Sequence, residues 1–71
     1  MQSSTKLYRP QIDRLVREEE RLYITSISRS HAWVLEQKGL FPRRIVLGSR
    51  SVAWKLSELE AWIESRGQNN A

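Results

Sequence analysis

The chain has 71 residues, a net charge of +4, 39% hydrophobic and 28% charged residues, and no cysteine. That length suits one small domain with a modest core, and the missing cysteine excludes disulfides and thiolate metal sites. No stretch approaches the roughly 20 apolar residues that cross a bilayer, and the first residues lack the apolar core of a secretion signal, so the sequence reads as a soluble cytoplasmic protein without a membrane partner.

Residues 1 to about 9 are polar and without pattern, and residues 1–13 read as a flexible N-terminal arm that carries Lys6 and Arg9. The next segment has two readings. Ile12, Leu15, Val16, Leu22 and Tyr23 fall at helical spacing and Pro10 suits a first turn, so periodicity suggests one helix. Alternatively Leu15 and Val16 are a short extended piece and a helix begins at Glu18, Glu19 and Glu20, since acids favour the positive end of a helix dipole. Thr25, Ser26 and Ser28 then compete for backbone hydrogen bonds and break the helix.

Ser28 is a good N-cap for a second helix running to Lys38, with Gly39 as its stop and Ala32 and Leu35 on one face. Helix, tight turn and second helix make a helix-turn-helix. Ile45 to Leu47 and Val52 to Trp54 are β-rich arms around a Gly48–Ser51 loop, which predicts a hairpin tipped by Ser49, Arg50 and Ser51. The last helix shows an S-x-x-E capping box in Ser57 and Glu60, and an apolar stripe of Leu56, Leu59, Trp62 and Ile63. Residues 67 to 71 read as a loose tail.

The charge is unevenly placed. Between Ser28 and Lys55 stand six cations, Arg29, Lys38, Arg43, Arg44, Arg50 and Lys55, against the one acid Glu36. That stretch carries +5 and the remainder nets −1, which makes the middle of the chain a candidate polyanion-binding surface. Catalysis has no foothold: there is no nucleophile–base–acid set, no glycine-rich phosphate loop and no metal-ligand cluster, and no cofactor is implied.

Several pieces together resemble a family. They are Ser28-Arg29-Ser30, Gly39 with Phe41-Pro42-Arg43, Leu47-Gly48 with Arg50, Ala53-Trp54, Ser57-Glu58, and Glu60-Ala61-Trp62-Ile63. In this order and spacing, from about Arg14 to Arg66, they resemble the AlpA family of prophage and genomic-island regulators, small relatives of the MerR-like winged helix-turn-helix domains. The resemblance implies an α+β, mainly α fold, with a β-hairpin wing and a C-terminal helix over residues 14–66. It also implies a protein that binds double-stranded DNA, switches on an integrase gene or acts as an excisionase, and works with an integrase or recombinase. It places Arg14 to Arg17 as an extended segment, which settles the first ambiguity against the long helix. Ser26 stands where the family usually has glycine, His31 where it has threonine, Trp33 where it has tyrosine, and Arg44 where it has proline.

In such a fold the first turn of the second helix faces base edges in the major groove. Arg29 there can make a bidentate pair with guanine, and Ser30 can meet a phosphate or a base. Ser28 is needed as a cap whatever else it touches. His31 reads equally as a contact or as plain surface, while Trp33 leans slightly toward the core, with a place beside the DNA backbone as its other reading. Trp54, Trp62 and Phe41 read as core. Arg43, Arg44, Ser49 and Arg50 are candidate wing contacts, and Lys55 a candidate phosphate contact. One small domain covers few base pairs, so self-association, cooperative or dimeric, is expected on DNA. The other reading is an interaction module whose basic stretch meets an acidic protein.

Overall fold

The computed structural model describes residues 13–68. In chain order, strand β1 (Leu15–Val16) is followed by helices α1 (Glu18–Thr25) and α2 (Arg29–Gln37). A hairpin of β2 (Ile45–Gly48) and β3 (Ser51–Lys55) comes next, and helix α3 (Leu56–Gln68) closes the fold. The extended reading of Leu15 and Val16 therefore holds, and the helix starts at the three glutamates. The architecture is a small α+β winged helix-turn-helix.

Three helix ends have a local cause. At the end of α1, Ser26 adopts a left-handed backbone with φ 61°, and its N–H bonds Leu22 O at 2.7 Å. At the start of α2, Ser28 Oγ accepts from the His31 N–H at 3.2 Å, the N-cap expected of it. At the end of α2, Gly39 takes φ +73°, a conformation glycine enters without a Cβ penalty. Its N–H then bonds Glu36 O at 3.0 Å and that of Leu40 bonds Leu35 O at 2.8 Å, the paired bonds of a Schellman stop.

The sheet is antiparallel throughout, in the order β1-β3-β2. Ile45 faces Ala53 and Val46 faces Val52, and the ladder is irregular between Val46 and Gly48. On the other edge of β3, Leu15 faces Lys55 and Val16 faces Trp54.

The start of α3 differs from expectation. Ser57 is not its cap but lies within the helix, because β3 ends at Lys55 and the helix begins at Leu56 with no loop between them. The unpaired N–H groups of the first turn are met instead by the chain beside β1. Ser57 N donates to Asp13 Oδ1 at 2.9 Å, Ser57 Oγ to Asp13 Oδ2 at 2.6 Å, and Leu56 N to Arg14 O at 2.9 Å. At its other end α3 runs two residues beyond Arg66, to Gln68.

The core joins Val16, Ala32, Phe41, Trp54 and Leu59, with Ile24, Ile27, Leu35, Val52, Leu56 and Trp62 packed around them. Phe41 meets Trp62 edge-on at 5.0 Å, and the half-buried Trp62 donates its indole N–H to Leu40 O at 2.8 Å. Ile63, expected on the apolar stripe, is exposed. Buried among these rings is a charge the sequence did not flag, Arg21, at 0% exposure.

Candidate nucleic-acid interface

The turn of α2 and the wing meet across one open groove. One wall is the exposed face of α2, with Arg29, Ser30 and Trp33. The other is the hairpin, with Val46, Ser49 and Arg50. Helical geometry explains the first wall. Ala32 and Leu35 turn inward to the core, so residues 29, 30 and 33, rotated away from them by the 100° step of the helix, face outward. The second wall follows from the hairpin: β3 anchors in the core through Ala53 and Trp54, both buried, and its turn projects Ser49 and Arg50 beyond it.

The sequence-predicted residues divide accordingly. Arg29, Ser30, Trp33, Arg44, Ser49 and Arg50 line the groove. Ser28 sits exposed at the head of α2 with its hydroxyl engaged as the cap. His31 lies elsewhere, in a shallower cleft with Leu35, Trp62 and Arg66 against α3, because one residue's rotation carries it away from Ser30. Arg43 is exposed but not part of the groove lining. Lys55 is exposed at the end of β3 that leads into α3, where its charge helps hold the Asp13 carboxyl down.

Trp33 corrects the leaning toward the core. It is 50% exposed, because its neighbour Ala32 occupies the inward position. With Val34 and Val46, also exposed, it adds apolar surface to the groove lining beside the cations.

The acids around the groove are largely spoken for. Glu18 binds Arg21 through both oxygens, at 3.1 and 2.5 Å. Glu20 binds Arg14 in the same two-pronged way, and those hydrogen bonds hold its carboxyl below the usual range. Glu36 stands 3.9 Å from Arg44, which ties that arginine to the flank of α2. Glu19 is exposed and faces the groove.

The sequence reading missed two arginines. Arg17 lines the groove from the α1 side, but only the folding of β1 against β3 brings it there. Arg21 lay in a segment whose apolar residues drew the attention. Among the described residues, no three or more His, Cys, Asp and Glu side chains are grouped to hold a metal ion, and no helix is long and apolar enough to cross a membrane.

A helix-turn-helix whose second helix shares a cationic groove with a hairpin wing defines the class of small winged helix-turn-helix proteins. The family follows from comparison with known proteins. A family model described as "Prophage CP4-57 regulatory protein (AlpA)" matches residues 14–67, and the chain belongs to this AlpA family of prophage regulatory proteins. It is 39% identical over 54 residues to an uncharacterized protein, ORF88, of Enterobacteria phage P4. That match covers 76% of this chain and 61% of the relative's length.

Proposed function

We propose that the chain is a sequence-specific double-stranded DNA-binding regulator of a prophage or genomic island, acting on an integrase gene or serving as an excisionase. The observation that carries this reading is that Arg29 and Ser30 at the head of α2 and Ser49 and Arg50 at the wing tip line the same groove.

In this reading the first turn of α2 enters the major groove. Arg29 pairs with guanine O6 and N7, worth about 1–3 kcal/mol of discrimination, and Ser30 meets a base or phosphate. The backbone amides of that turn suit a phosphate oxygen. Trp33 and Val46 press on sugar edges or a thymine methyl, and Arg50 with Ser49 follows the backbone or the adjacent minor groove. Arg43 and Arg44 add phosphate contacts from the approach to the wing. His31 and Lys55, being outside the groove, contact DNA only if it wraps further around the domain. Copies bind adjacent sites cooperatively or as a dimer and bend the DNA, beside an integrase where excision is the outcome. The working place of such a protein is the cytoplasmic nucleoid.

A salt titration with a random-sequence duplex tests the first half of the reading. About five neutralised phosphates give a slope of log affinity against log salt near −4 to −5. No binding at low salt would point instead to an acidic protein partner. Footprinting on DNA beside the gene and any neighbouring integrase gene tests the second half: protection at a promoter marks a regulator, and protection within an attachment site marks an excisionase. On the site so found, Arg29→Ala should lose specific binding and keep nonspecific binding, and equal loss of both would contradict base readout.

A further inference from the structure

Arg17 stands just before α1 in an extended conformation, φ −86° and ψ 172°. Its surroundings explain why it is held there. β1 pairs with β3 only as far as Val16 opposite Trp54. Beyond that point, toward the wing, β3 has no strand on this edge, and its carbonyls need another donor. Arg17 supplies one: its Nε donates to Val52 O at 3.1 Å. The bond ties the start of α1 to the wing strand and fixes the guanidinium plane at the groove, which Arg17 lines while staying exposed. Nη1 and Nη2 have no hydrogen-bond partner among the described residues.

We propose that Arg17 is a further cationic DNA contact, taking a backbone phosphate on the α1 side of the groove, while its Nε steadies the wing. This rests on the DNA-binding reading above. A guanidinium already immobilised by one hydrogen bond loses less conformational freedom when it takes a phosphate. Of the nearby acids, Glu18 is held by Arg21 and Glu20 by Arg14. Glu19 alone of the three faces the groove without an ion-pair partner among the described residues, so it opposes the same phosphate.

The test is a salt series with a 20-base-pair random-sequence duplex, read by fluorescence anisotropy. Arg17→Gln, which keeps a donor for Val52 O and removes the charge, should flatten the salt slope by about 0.9 and weaken all sequences in similar proportion. Arg17→Lys should keep the wild-type slope, as should Lys38→Ala on the far end of α2. Glu19→Gln should raise affinity. An unchanged slope in Arg17→Gln, with its circular dichroism intact, overturns the assignment. Should that variant not fold, an unchanged affinity in Glu19→Gln overturns it. Wild-type protein that binds no duplex at low salt defeats the DNA reading itself, which is a different result from binding that ignores Arg17.

Discussion

Arg21 places a full positive charge where no water reaches it. The chain makes this tolerable by occupying the guanidinium on every side. Nε and Nη2 bind the Glu18 carboxylate, Nη1 donates to Thr25 Oγ1 at 3.1 Å and to Ile27 O at 2.7 Å, and the ring of Trp54 lies 5.4 Å away. Burial of a charge survives only with this kind of pairing. Thr25 extends the network, donating to Arg21 O and accepting from Ile27 N, so the residues joining α1 to α2 are held just ahead of the first turn of α2. Arg21→Ala should cost about 3 kcal/mol in urea unfolding, at the low end for a broken buried pair because Glu18 can rehydrate. Arg21→Met, which fills the space, should cost less. Ser26, inside the same turn, pays for a left-handed backbone that an L side chain resists. Ser26→Gly should therefore stabilise by about 1 kcal/mol and raise the melting temperature by roughly 4–8 °C; a lower melting temperature would mean that the serine has a compensating contact.

Among the elements, α3 depends most visibly on distant chain. Its first turn is capped by Asp13, 44 residues earlier. The Ser57 side-chain and backbone hydrogen bonds hold the Asp13 carboxyl below its ordinary value of 3.8, and Arg14 does the same for Glu20 against 4.5. Groups whose folded values lie below their unfolded ones stabilise the fold fully above the unfolded values and lose that contribution as pH falls through the folded ones. Wild-type protein should thus lose stability below about pH 4. Asp13→Ala should melt roughly 4–8 °C lower at pH 7, and the gap should close as the pH drops below 3.8; a gap constant across that range would show that the carboxylate is not the cap. The other elements are stopped by their own residues. α2 was legible at both ends because Ser28 and Gly39 act within one turn. The hairpin was legible because β-rich arms flank a short loop.

At the scale of the molecule, the parts that sequence hid are those made by folding. Leu22 and Tyr23 helped suggest a long helix, yet they are 45% and 86% exposed. The inward face of α1 carries the buried Arg21 and Thr25 beside the partly buried Ile24, so hydrophobic spacing misreports it. Two residues of β1 are too few to show any alternation, and only the family resemblance favoured a strand there. Trp33 departs from the general preference of tryptophan for the interior because Ala32 holds the inward place. Arg29 and Arg50 were readable from the charge distribution, and Ser30 and Ser49 from the helix tip and the hairpin loop, whereas Arg17 joins them only through the register that lays β1 beside β3.

That register also gives the hairpin a mechanical character. β3 runs between two neighbours at its base, where Ala53 and Trp54 are buried, and begins at the turn that carries the exposed Ser49 and Arg50. The hairpin has the outline of a cantilever, held at the root by buried residues, with the ladder irregularity near Gly48 close to its exposed end. On the proposed duplex, bending of that beam would carry Arg50 toward its strand while α2 stays seated, a way for one fold to meet grooves of more than one width.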